Sequence, residues 1–235
     1  MDTLYADDIT QVITTQSKSK NMMKLRVERE IERINRYERK WKIQTNEQKF
    51  KIIPIAQYKT KEIIINNTNI DTSTNGKFLG LKIQSRGITG HANDRINQGK
   101  AIVSKLRRFN NLTPKIKATL IKTLLIPVLE YPPIPICSLS KTKKIELQKV
   151  LNQGLRFINH HDTERKTMEE THRLYNITPI NTSIHIKANK IWNTIRITQE
   201  QEYHDLVRPR NRAHYWFPRT STLIDLPLPM PIYTS

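Results

Sequence analysis

Apolar residues recur at helical spacing along much of the chain, separated by a shorter region where they bunch into β-branched runs. Met23, Val27, Ile31, Ile34 and Trp41 fall three, four or seven apart and form one stripe, so the spacing predicts an amphipathic helix over residues 17–41. Ser17 and Ser19 offer N-cap oxygens, and no Pro or Gly interrupts it. The next runs, Phe50-Lys51-Ile52-Ile53-Pro54-Ile55 and Glu62-Ile63-Ile64-Ile65, read as strands. Asn66 to Asn69 reads as a turn, and Asn75-Gly76, just before Phe78-Leu79-Gly80-Leu81-Lys82-Ile83, is the strongest hairpin dipeptide, giving an expected small hairpin near 63–84. Helical spacing then returns. Ile96, Val103, Leu106 and Phe109 mark one face, and Ile116, Leu120 and Leu124 follow Pro114, with Pro127 and the Pro132-Pro133-Ile134-Pro135 run expected to end that helix. A third helix is expected over 143–158 with Leu147, Leu151, Leu155 and Ile158 buried. Others are expected near 164–175 and over 181–199, the last burying Ile184, Ala188, Ile191 and Ile195. From residue 205 onward periodicity fails and Pro accumulates, so a disordered tail is expected.

Charge sharpens this outline. The chain has 235 residues, 40 Lys+Arg against 21 Asp+Glu, and a formal net charge of +19. Such an excess attracts polyanions, nucleic acid first. One cysteine excludes a disulfide framework and a Cys-rich zinc module, which points to an intracellular home, nuclear or cytoplasmic. His160, His161, His172, His185, His204 and His214 show no zinc-ligand spacing. No apolar run is long enough to span a bilayer, so no membrane partner is expected. No acid occurs between Arg95 and Leu129, although Lys100, Lys105, Arg107, Arg108, Lys115, Lys117 and Lys122 do; phosphate contact is the natural use of such a run. Arg208-Pro209-Arg210-Asn211-Arg212 with Tyr215-Trp216 mixes bases and aromatics, a composition suited to single strands.

The first sixteen residues reverse this balance, holding Asp2, Asp7 and Asp8 and no base. Tyr5-Ala6-Asp7-Asp8 lies between apolar flanks, Leu4 on one side and Ile9 to Ile13 on the other, and describes a hairpin presenting two carboxylates at its turn. Paired carboxylates suit Mg²⁺, which takes oxygen ligands and leaves much of its shell to water and phosphate. Two such ions can activate a 3′-hydroxyl and stabilise leaving pyrophosphate. Adjacent strand residues face opposite ways, so Asp7 and Asp8 are expected to play unequal parts. The alternative is a pair of turn-forming Asp residues.

In order, Tyr5-Ala6-Asp7-Asp8, a helix ending at Trp41, Asn46-Glu47-Gln48-Lys49, Phe78-Leu79-Gly80, Lys100-Ala101, Leu106, Leu112, Ile126 to Tyr131, and Leu147-Gln148 to Leu155-Arg156 resemble the reverse transcriptases of non-LTR retrotransposons, jockey-like ones especially. The resemblance covers about residues 1–200. It implies an α+β fold: a partial polymerase palm over 1–84, a helical thumb over 85–160, a helical extension over 161–204 and a Pro-rich tail over 205–235. It implies Asp7 as a metal ligand, Asp8 as an auxiliary acid at the same Mg²⁺ site, and Lys49 as the acid that protonates pyrophosphate. Tyr5 would lie near the primer terminus. Phe78, Leu79 and Gly80 would hold the primer end, and Lys100, Lys105, Arg107 and Arg108 would grip the duplex. The implied partners are an RNA template, a DNA primer, their RNA:DNA hybrid, and the upstream part of the same polymerase. In the family, fingers and a first palm Asp precede the tetrad; here four residues do, so the expectation is a portion inactive by itself. The rival expectations are a non-catalytic basic nucleic-acid-binding remnant and, further off, another right-handed polymerase such as a group II intron maturase or telomerase.

Overall fold

The computed structural model describes residues 2–5, 8–11, 13, 20–42, 51–53, 63–65, 68–70, 75–84, 88–159 and 166–198. The chain forms two compact units, one of residues 1–76 and 84–86, the other of 77–83 and 87–235. The architecture is mostly helical with two-stranded antiparallel sheets, an α+β composition.

In the first unit, β1 (Asp2–Tyr5) pairs with β2 (Asp8–Gln11), and β3 (Ile63–Ile65) with β4 (Thr68–Ile70). Between them lies α1 (Lys20–Trp41). Val27 and Ile31 are buried, with Ile13, Met23 and Ile52 packed against them, a small core for a helix this long. The expected stripe is therefore covered only in its middle. Trp41 is exposed, its ring tilted at 46° to that of Tyr37 with centroids 6.1 Å apart, and Lys40 Nζ lies 5.5 Å from its ring centroid. Asn75-Gly76 is not a turn. Both residues lie in β5 (Asn75–Phe78), and a Cβ on Gly76 would come within 2.1 Å of Ile53 Cδ1. Here the glycine serves close approach, and the expected single hairpin over 63–84 is two hairpins.

The second unit is a helical assembly around one core. Its helices are α2 (Thr89–Leu106), α3 (Pro114–Leu120), α4 (Ile126–Glu130), α5 (Pro133–Cys137), α6 (Lys141–Ile158), α7 (Met168–Leu174) and α8 (Ile180–Thr198). Leu147, Leu151, Leu155 and Ile158 of α6 are buried as their spacing requires. They pack with Ile96 and Val103 of α2 and with Ile180 and Ile184 of α8. Gly99 and Gly154 mark close helix approaches. A Cβ on Gly99 would sit 2.7 Å from Leu129 Cδ2 and 2.9 Å from Val150 Cγ1, and one on Gly154 2.7 Å from Leu125 Cδ2.

Pro127 does not end a helix. A π-helical turn, Ile121–Leu125, joins α3 to α4 and places Pro127 in the first turn of α4, where a missing N–H costs little. From that turn Thr123 Oγ1 donates back to Thr119 O of α3 at 3.0 Å. Ile116 and Leu124 are consequently exposed, and the buried face is Ala118, Ile121, Leu125 and Leu129. The Pro132–Pro135 run is also partly helical, since Pro133 takes the first position of α5. In α8, Trp192 is buried and Ile191 exposed, because burial follows the four-residue series Ile180, Ile184, Ala188, Trp192.

Buried polar groups tie the assembly together. Gln148 donates to Asn152 Oδ1 (2.7 Å) and His172 Nε2 (3.2 Å) and accepts from the Ile180 amide (2.8 Å). His172 Nδ1 donates to Ile177 O at 2.7 Å. Glu130, almost fully buried, pairs with Lys187 of α8. At the end of α7, Asn176 adopts φ 48°, and the Ile177 and Asn176 amides bond His172 O and Arg173 O, a Schellman cap.

Candidate nucleic-acid interface

The tetrad begins at a strand end. The register Asp2↔Gln11, Thr3↔Thr10, Leu4↔Ile9, Tyr5↔Asp8 leaves residues 6 and 7 between the last paired positions. Asp8 thus opens the second strand, paired across from Tyr5, while Asp7 lies outside the described residues. Lys49 also lies outside them, as do the side chains of Tyr5, Asp8 and Phe78. Among the described residues, no group of three or more His, Cys, Asp and Glu side chains is placed to hold a metal ion.

The Phe78-Leu79-Gly80 landmark is built in more detail. Leu79 and Gly80 form the turn between β5 and β6 (Leu81–Gln84), with φ 45° and 79°. Positive φ at both central positions matches the right-handed twist of the flanking strands. Gly80 takes it freely, but for Leu79 it costs about 1–2 kcal/mol. The neighbourhood holds the turn by both carbonyls: Tyr131 Oη donates to Leu79 O at 2.6 Å, and Arg95 Nη2 to Gly80 O at 3.0 Å. The Arg95 guanidinium also lies 5.4 Å from the Tyr131 ring centroid. Leu79 itself is exposed at the tip.

His91 anchors the same hairpin from below. The Lys82 amide points at Nδ1 (3.2 Å), and Nε2 lies 2.9 Å from Tyr131 O. An amide only donates and a carbonyl only accepts, so the proton sits on Nε2 and the ring is neutral. Arg95 Nε, 3.2 Å from Nε2, is then an N–H beside an N–H, a contact and not a hydrogen bond. Burial, joined by the Arg95 and Lys82 charges, holds the His91 pKa below the ordinary imidazole value despite Tyr131 O and Asp94. Lys82 Nζ pairs with Asp94 at 3.1 Å.

Neither His91 nor Arg95 nor Tyr131 stands out in the sequence as a site residue. Tyr131 meets the turn across a 52-residue separation, and nothing local in the chain encodes that.

Lys100, Lys105, Arg107 and Arg108 are all exposed, as are Lys115 and Lys122. None of these six forms an ion pair with an acid among the described residues. Two neighbours depart from expectation. Lys117 is buried, its ammonium 5.0 Å from the Phe157 ring centroid, so it belongs to the interior and not to the basic surface. Phe109 is exposed, because a 3₁₀ turn, Arg107–Phe109, breaks the phase of α2. That leaves an aromatic ring in water beside two arginines. The lone Cys137 is buried, and burial pushes its thiol pKa up, which makes it a core residue. No helix among the described residues is long and apolar enough to cross a membrane.

No family model matches the sequence, and no curated protein or solved structure proves similar to it.

Proposed function

We propose that the chain is the palm–thumb portion of the reverse transcriptase of a non-LTR retrotransposon, an RNA-directed DNA polymerase, and that its own task is to hold an RNA:DNA hybrid. The observation that carries this reading is the pairing of Tyr5 with Asp8, the first and last residues of the tetrad, as the final pair of an antiparallel ladder. A second hairpin whose turn is Leu79-Gly80 supports it, as do the exposed bases of α2 and the 3₁₀ turn after it.

In this reading the carboxylates of Asp7 and Asp8 would hold Mg²⁺, whose oxygen preference they meet, and Lys49 would donate a proton to departing pyrophosphate. The metal, when bound, supplies positive charge for an in-line phosphoryl transfer. The two aspartates are half of a palm site. In this reading a second palm carboxylate and the nucleotide pocket are supplied by the upstream part of the polymerase, and the aspartates act only together with them.

A second reading, a basic nucleic-acid-binding protein without catalysis, draws on the six exposed bases between Lys100 and Lys122 that form no ion pair among the described residues. Primer extension on an RNA template with Mg²⁺ separates the two. The chain alone should give no product. With the fingers and first palm half of a jockey-like reverse transcriptase supplied in trans, extension should appear, and Asp7→Asn should lower it by about 10³-fold or more. Extension in trans that Asp7→Asn leaves intact would remove the catalytic assignment. Hybrid binding with no extension in trans would favour the second reading.

A further inference from the structure

The Leu79–Gly80 turn combines three features that a plain loop connection does not need together. Its first central residue is a leucine held at φ 45°, where glycine or asparagine is the easy choice. That leucine is exposed, so burial of its side chain does not explain its presence. Both turn carbonyls are also bonded by side chains from elsewhere, Tyr131 Oη at 2.6 Å and Arg95 Nη2 at 3.0 Å. His91 links these two contacts. It lies one helical turn before Arg95 on α2, receives the Lys82 amide on Nδ1, and donates from Nε2 to the carbonyl of Tyr131 itself. The hairpin is thus fastened at its tip and along β6 to one small cluster, and the tip is fixed in a geometry that its sequence disfavours. Backbone strain that is stabilised from outside and ends in an exposed apolar side chain is typical of a surface that must meet a ligand at a set position.

We propose that His91, Arg95 and Tyr131 are positioning residues that lock the Leu79–Gly80 turn in its left-handed conformation and thereby aim the hairpin tip at the end of a nucleic-acid primer strand. This rests on the reading of the chain as a palm–thumb portion, since that reading supplies the strand end. None of the three needs to touch the nucleic acid.

Two substitutions test the lock without altering charge. Tyr131→Phe removes one hydroxyl, and Arg95→Lys keeps the cation but loses the planar reach to Gly80 O. Amide exchange at Lys82, measured by NMR on the full chain, reports the turn without nucleic acid. It should accelerate about fivefold in each variant, roughly the effect of one lost hydrogen bond. Adding Leu79→Gly to Tyr131→Phe should restore the slow rate, because glycine takes the left-handed conformation unaided. The second readout is binding to an RNA:DNA hybrid with a recessed 3′ end relative to one without an end. Tyr131→Phe and Arg95→Lys should abolish the preference for the end while leaving affinity for continuous hybrid unchanged.

Unchanged Lys82 exchange in both variants would overturn the lock. Faster exchange with the end preference intact would overturn the positioning role. A wild-type chain with no end preference would instead sink the palm–thumb reading of this hairpin, while the exchange data still decide whether the three residues hold the turn.

Discussion

His91, His172 and His185 are buried, and for each of them burial is the leading cause of a pKa below the ordinary 6.5. In His91 and His172 both ring nitrogens are committed, one donating and one accepting, so a second proton would face an N–H of Lys82 or of Gln148. The sign follows from linkage. Above about 6.5 these groups are neutral folded and unfolded, and their contribution to stability is complete. As pH falls through 6.5 towards the lower folded values, the unfolded chain takes up protons that the folded chain refuses, and stability is lost. Urea midpoints should therefore drop between pH 7.5 and 5.5, and the drop should shrink in Gln148→Ala, which frees His172 Nε2 to take its proton. Glu170 works at a lower pH: its capping-box bonds to Thr167 hold its pKa below the carboxylate norm. None of this is legible from a histidine's place in the sequence, because its tautomer is set by partners as remote as residue 131.

At the scale of elements, what the sequence encodes well is a helix with one unambiguous stripe. Leu147, Leu151, Leu155 and Ile158 are four or three apart with polar residues between, and all are buried. Where two apolar series compete, the spacing misleads. Ile116, Leu120 and Leu124 repeat every four residues as cleanly as any core series, yet Ile121, Leu125 and Leu129 are the positions that the neighbouring helices cover. The π turn that allows this, and the 3₁₀ turn that ejects Phe109, depend on backbone adjustments that no side-chain period announces. Glycines are similarly ambiguous, since Gly76 reads as a turn and acts as a close approach. Gly99 gives a measurable case. Alanine there gains about 1 kcal/mol of helix propensity but presses on Val150 Cγ1, a stiff β-branched neighbour. Overpacking typically costs about 1–3 kcal/mol, so Gly99→Ala should lower stability by roughly 1 kcal/mol in urea denaturation, and Gly99→Val by more.

Across the whole molecule, charge was the clearest signal in the sequence and the structure refines where it can act. The net +19 says that a polyanion is attracted, but not which bases are available. Of the seven bases between Lys100 and Lys122, Lys117 is withdrawn into the interior of the second unit, and the other six are exposed with no acid partner among the described residues. The candidate carboxylates are less accessible to this kind of reading: a tetrad suggests chemistry, the register supports its hairpin, and the position of Asp7 lies outside the described residues. The bases therefore offer the sharper test at this scale. If Arg107 and Arg108 each meet a phosphate, the logarithm of hybrid affinity should fall steeply with the logarithm of salt concentration, and the slope should lose about one unit per arginine removed. Arg107→Gln with Arg108→Gln should thus flatten it by about two units, whereas Lys117→Met, which alters charge equally per site but not at the surface, should leave it unchanged. Equal slopes for wild type and the double variant would mean that these arginines are merely solvated. Phe109→Ala adds a separate prediction from the same turn. Loss of a stacking ring should weaken single-stranded binding by an amount that salt does not alter, because stacking releases no counterions.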